Sequence, residues 1–414
     1  MTILQISDIH WTKHHPWEDD FLGMKAKFLT DVKEYVEAGY EIDYIIICGD
    51  IAFKGLKEEY SKALEYIGKV CENANCKRED VFVVPGNHDL NRNSDGHEKR
   101  EMMNAALSFG QNNNCFLDDM ILKSADMRKI QFAAFSEYNA FAKNFFCAEK
   151  LMGKCLQNDE NETVTESDEL YYEVELPKKV GDFSVRVKGV NTALNCDGWD
   201  YGDNNKDGHK QILPKRAYTL GEEKKQEIRI FIGHHPLEYL TSRTEVEEYI
   251  DSHYHIQLFG HVHIQNVEGG NSVRLLSGAF DPPRAKKEGE KEKYLPVYNF
   301  IIIEQKDSTH INVTCNSQIW KKNKFIENTE GCFTKEIIVE RNVNKWRNTK
   351  MKETINPRTV KFEYIKRDDR TSFWNKVDGV SFEPGGNDDY ENCLRFLDAV
   401  ESAGKLGELD KLMR

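Results

Sequence analysis

No C-x-x-C pair occurs among the ten cysteines, which are scattered at positions 48, 71, 76, 115, 147, 155, 196, 315, 332 and 393. Scattered cysteines argue against a zinc knuckle and for reduced, mostly structural thiols. Long apolar runs are also missing. The longest, Tyr44 to Cys48 and Phe300 to Ile303, fall far short of the roughly 18 to 20 residues a membrane span needs, so no transmembrane helix and no membrane partner are expected. The N-terminus has no basic region and meets a charge at Asp8. It reads as a first strand, not a signal peptide, which makes a cytoplasmic protein the expectation. Neither an internal repeat nor a low-complexity tract is present. What remains is a chain of 414 residues, enough for one large domain plus an appendage or for two domains.

Net charge is −13, which disfavours a long polyanion as partner. The charge is uneven, however. From Arg284 to Arg370 there are 20 Lys plus Arg against 13 Asp plus Glu, a balance of +7, so the remainder carries −20. Such a segment is a candidate phosphate-facing surface, or a solvated face of mixed sign.

Taken in order, the chain repeats one pattern: a short apolar run ending abruptly in polar residues. Ile3 to Ser7 ends in Asp8-Ile9-His10, whose i, i+2 spacing puts both side chains on one side of an extended backbone. After a helical stretch from Phe21 to Ala38 closed by Gly39, Tyr44 to Cys48 ends in Gly49-Asp50. A second helix over Leu56 to Cys71 leads to Val81 to Val84, ending in Pro85-Gly86-Asn87-His88-Asp89. Apolar strands separated by helices make a βαβαβ run, whose crossovers place the endings on one edge of a sheet. The pattern returns at Ile228 to Ile232, ending in Gly233-His234-His235-Pro236, and at Ile256 to Phe259, ending in Gly260-His261-Val262-His263.

Between these, residues of about 92–152 read as a helical insertion with aromatics at threes and fours (Phe132, Phe135, Tyr138, Phe141, Phe145 and Phe146). Strands are expected at Leu170 to Leu176 and Phe183 to Val190, and helices at Leu213 to Gln226 and Glu245 to Ser252. Short strands from Val273 onward suggest a second sheet packed on the first. The expected division is 1–345 as the main domain, 346–383 as a linker or arm, and 384–414 as a small helical tail.

Asp8, His10, Asp50, Asn87, His234, His261 and His263 thus collect at strand ends, with His88 beside Asn87. Carboxylate, amide oxygen and imidazole together suit Mn, Fe, Zn, Co or Ni, and the lack of thiolates argues against a structural zinc site. Seven ligands are too many for one tetrahedral ion. They suffice for two divalent ions about 3.5 to 4 Å apart, which clamp the attacking and leaving oxygens of phosphoryl transfer.

In this order, Asp-x-His, Gly-Asp, Gly-Asn-His-Asp, Gly-His-His and Gly-His-x-His resemble the calcineurin-like metallophosphoesterases over roughly residues 1 to 315. The resemblance implies an α/β fold of two mixed sheets face to face, flanked by helices in a four-layer αββα sandwich. It implies one metal on Asp8, His10 and His263, a bridging Asp50, and the other metal on Asn87, His234 and His261. His88 would face the substrate as acid for the leaving oxygen or stabiliser of developing charge, with Asp89 as its orienter. A water bridging the ions would have its pKa lowered towards about 7, and the hydroxide would attack phosphorus in line.

The opening Gln5 to His10 and the His234-His235-Pro236 form look like the bacterial cyclic-nucleotide phosphodiesterase branch. A small nucleotide-type phosphodiester is therefore the expected substrate. A DNA or RNA nuclease is the alternative, favoured by the basic segment. A third possibility is an effector module recruited to a protein partner through residues 384–414.

Overall fold

The computed structural model describes residues 1–12, 22–94, 97–109, 125–145, 170–198, 200, 208–221, 224–241, 243–268, 270–282 and 294–339. Met1–Arg341 forms one compact unit, and everything below concerns that unit. The linker, the C-terminal tail and the parts of the basic segment at 283–293 and 340–370 lie outside the described residues.

Strand β1 (Thr2–Ile6) leads through α1 (Leu22–Glu37) to β2 (Tyr44–Ile47), then through α2 (Lys57–Ala74) to β3 (Val81–Val83). These strands run parallel, with Ile6 paired to Ile47 and Ile47 to Val83. They therefore stop level with one another, and the polar residues after each emerge at one edge. Both faces of these strands are covered, which is why they read as unbroken apolar runs. Ile46 and Phe82 point into the core between the sheets, whereas Leu4, Ile6, Ile45, Ile47, Val81 and Val83 face α1 and α2.

The insertion follows as α3 (His97–Phe109), α4 (Ala125–Phe132) and α5 (Ser136–Ala142). Its aromatic positions are core: Phe141 and Phe145 join the layer with α2, and Phe135 joins the layer over the second sheet. Buried Arg100 of α3 donates to the carbonyls of Gln131, Leu194 and Cys196, tying the insertion to the loop after β5.

The second sheet holds β4 (Tyr171–Val180), β5 (Phe183–Val190), β6 (Glu227–Ile232), β7 (Ile256–Phe259), β8 (Asn266–Glu268) and β9 (Val273–Leu276), in the order β4-β5-β6-β7-β9-β8. Helices α6 (Lys215–Tyr218) and α7 (Arg243–His253) cover its outer face. The helix expected over 213–226 is only this single turn, ending at Thr219 before Gly221.

The later strands do not all extend the second sheet. β10 (Val297–Gln305) pairs antiparallel with β1, and β11 (His310–Lys321), β12 (Lys324–Glu327) and β13 (Phe333–Ile338) build outward from it. Both sheets are thus mixed, and with helices outside each they form four layers.

Candidate metal centre

The C-terminal edges of β1, β2 and β3 in one sheet meet those of β6 and β7 in the other, and the predicted ligands converge there. Asp8, His10, Asp50, His261 and His263 have φ of 54°, 50°, 52°, 71° and 57°. This left-handed conformation costs a non-glycine residue about 1 kcal/mol or more and survives only where the surroundings impose it. Here the imposing bonds are Asp8 N–H to Gly49 O (3.0 Å) and His10 N–H to Asp50 O (2.9 Å). The glycines preceding the ligands allow the close approach. A Cβ on Gly86 would overlap Asp50, and one on Gly260 would overlap Ser7 Oγ and the Cys48 carbonyl.

Asp50 lies at the centre. Its Oδ1 accepts the His88 backbone N–H at 2.8 Å, and its Oδ2 is 3.3 Å from both His10 Nε2 and His234 Nε2. Asn87 Oδ1 lies 3.2 Å from His234 Nε2 and 3.1 Å from His261 Nδ1. Asp8 Oδ1 is 3.3 Å from His263 Nε2. The sets Asp8/His10/His263 and Asp8/Asp50/His234 each present ligand atoms within 4.8 Å of one another. All seven sequence-predicted ligands are therefore neighbours.

Three observations show that this chemistry fits divalent metal. His234 Nδ1 lies 2.7 Å from the Cys48 carbonyl, and His10 Nδ1 lies 3.2 Å from the Asp281 carbonyl. A carbonyl at Nδ1 fixes the tautomer, leaving the Nε2 lone pair facing inward, as metal-binding imidazoles are held. Asp8 Oδ1 is buried yet accepts no well-directed hydrogen bond. Finally, the two buried carboxylates are held in the ionised form that binds cations. Burial would raise the Asp8 carboxyl, but His263 brings it down to about 2, and Asp50 is held well below the usual carboxylate range by His234 and His88. Burial opposes charge on His10 and His234, yet Asp50 lifts both to about 9.

His88 stands to one side. Its Nδ1 is 3.0 Å from the Phe53 carbonyl, its ring stacks on Phe53, and it meets the His10 ring edge-on at 4.8 Å. Asp89 does not orient it. The buried Asp89 carboxylate accepts from the backbone N–H groups of Ile51, Ala52 and Gly86 and from the Tyr60 hydroxyl. The short 3-10 turn Asn87–Asp89 sends the His88 and Asp89 side chains different ways, so Asp89 ties the Asn87 loop to the Asp50 loop. Burial and the Asp50 charge push its carboxyl up to about 6, against the pull of those donors.

His235 is buried behind the centre. Thr192 Oγ1 accepts the backbone N–H groups of His234 and His235 and lies 3.0 Å from His235 Nδ1. His235 Nε2 faces Cys196 Sγ, and the ring also brings a ligand-type nitrogen close to those of His234 and His261. Ser7, Asp281 and Thr192 support the centre but left no mark in the sequence pattern, because Asp281 acts on His10 through its backbone carbonyl and Ser7 and Thr192 each act through a single hydroxyl. Phe53, an aromatic residue three positions after Asp50 in a loop, was a legible signal. A second group, Asp197, Asp200 and His209, also brings ligand-type atoms together. There His209 Nε2 is 2.9 Å from Asp197 Oδ1.

The family model for calcineurin-like phosphoesterases matches residues 1–265, and the chain belongs to that family. A metallophosphoesterase-like protein of Bacillus subtilis strain 168, YydB, is 25% identical over 289 residues, covering 67% of this chain and 53% of that protein. The chain thus spans about half the length of that relative. Among solved structures, the calcineurin-like phosphoesterase YfkN from Bacillus subtilis is 11% identical with a TM-score of 0.30, covering 86% of this chain and 96% of that one. The NAD nucleotidase of Haemophilus influenzae is 10% identical with a TM-score of 0.28, covering 97% and 60%. Family membership rests on the sequence match and not on these distant superpositions. No helix among the described residues is long and apolar enough to cross a membrane.

Proposed function

We propose that the chain is a dinuclear phosphodiesterase acting on a small nucleotide-type ester. Asp8, His10 and His263 would hold one divalent ion and Asn87, His234 and His261 the other, with Asp50 shared between them. The observation that carries this is Asp50 Oδ2, equidistant at 3.3 Å from an imidazole of each set. When bound, such a pair supplies an activated water and neutralises charge on the phosphoryl oxygens.

The chain's own groups do the rest. Asp50 spaces the two ligand sets and fixes the His88 backbone through its N–H. The Phe53 carbonyl pins His88 Nδ1, so Nε2 is the nitrogen left to exchange a proton with the leaving oxygen. Asp89 holds the two loops at a set separation. The test is a substrate panel on metal-loaded protein: cyclic mononucleotides, cyclic dinucleotides, single- and double-stranded DNA, RNA and phosphomonoesters. Small nucleotide diesters should turn over fastest, with rates nearly flat in salt. Preference for monoesters, or for strands with a steep loss of affinity as salt rises, would refute it.

A further inference from the structure

Phe53 is 40% exposed, one of few large apolar side chains of the described residues left in water. It is not a loose loop residue. Its N–H donates to the Trp11 carbonyl at 3.0 Å, Trp11 and Ala52 form a parallel bridge, and its own carbonyl faces His88 Nδ1. The backbone on both sides is therefore fixed, and the ring has a set position. That position is beside the centre: 5.1 Å from the His88 ring at an interplanar angle of 25°, and 6.1 Å from the His10 ring, edge-on.

A phenylalanine side chain pays for exposure by losing apolar burial. Here the carbonyl holds His88 Nδ1 and one face of the ring lies against the His88 ring. That contact leaves the side chain 40% exposed. It offers an apolar, flat surface on the His88 side of the centre, where the group esterified to phosphorus leaves. Flat rings stack on such surfaces without regard to base identity.

Resting on the phosphodiesterase reading above, we infer that Phe53 is a specificity-determining residue, whose ring stacks on a nucleobase or other flat aromatic group carried by the ester. The enzyme then prefers base-bearing diesters over aliphatic ones of the same phosphorus chemistry.

Two cyclic diesters isolate the effect: adenosine 2′,3′-cyclic phosphate, and glycerol 1,2-cyclic phosphate, which has the same five-membered ring and no base. Phe53→Leu keeps the apolar bulk and the carbonyl but removes the aromatic face. It should lower kcat/KM for the adenosine ester about 5- to 10-fold more than for the glycerol ester, the lower end of base–aromatic stacking, over any loss common to both esters that comes from the altered contact with His88. Phe53→Trp should retain the preference. In parallel, calorimetry with adenosine 5′-monophosphate and ribose 5-phosphate should show weaker binding of the nucleotide alone in Phe53→Leu. Equal losses on both esters would mean that the ring only shields His88, and no loss on either would mean that it touches nothing; both overturn the inference. If the wild type hydrolyses neither ester, the phosphodiesterase reading falls, while the ratio of nucleotide to ribose phosphate binding still decides what Phe53 does.

Discussion

Replacing Asp89 by Asn separates a structural tie from a catalytic orienter. One carboxylate oxygen accepts from Ala52 N–H at 2.9 Å and the Tyr60 hydroxyl at 2.9 Å, and the other from Gly86 N–H at 2.9 Å, with Ile51 N–H shared between them. Asn can reproduce only one acceptor. If its oxygen takes the Ala52 and Tyr60 side, its amide N–H meets the Gly86 N–H, and two buried donors face each other. A buried N–H left unpartnered costs about 1–3 kcal/mol, and the surviving bonds lose their charge-assisted share, roughly 1 kcal/mol. The expected loss is about 2–4 kcal/mol, measured as a lower denaturant midpoint with unchanged slope at pH 8, where the wild-type carboxylate is ionised. Metal binding should weaken too, because Gly86 leads directly into Asn87 and His88. An Asp89→Asn protein as stable as the wild type, with turnover alone reduced, would refute the tie and restore the orienting role.

His209 gives a pH-dependent contribution of definite sign. Burial opposes its charge, but the hydrogen bond and charge of Asp197 outweigh this and raise its pKa above the ordinary value. The pair's stabilisation is therefore complete below about pH 6.5 and lost as pH rises through the raised folded value. In chelator-treated protein, the stability difference between wild type and His209→Gln should be largest near pH 6 and shrink towards pH 9; a difference that grows with pH contradicts it. Arg100→Met should cost about 2–4 kcal/mol in chemical denaturation, since three buried carbonyls lose a charged donor. A change within about 0.5 kcal/mol would show that solvent reaches those carbonyls.

The layout of the centre was legible because each strand that carries it is buried on both faces. Ile45, Ile46 and Ile47 could not be mistaken for a half-exposed strand, and the polar residues after such runs must lie at its end. What the pattern could not say is which sheet a strand joins. β10 looked like part of the second sheet because it follows β9, yet its partner is β1, nearly the whole unit away in sequence. Strand β12 was missed because its hairpin turns on Lys322-Asn323, both at positive φ, without the glycine that usually marks such a turn. Asp89 misled because adjacency in sequence suggested a contact with His88 that the turn geometry prevents. The carbonyls of Cys48, Phe53 and Asp281, which fix three imidazoles, carry no side-chain signature at all.

The central claim is that Asp50 joins two metal sites, and the direct test is the metal content of purified, metal-loaded protein. The account predicts two divalent ions per chain in the wild type and at most one in Asp50→Asn, whose amide cannot serve two cations as a carboxylate does. The same metal count in both proteins would contradict it.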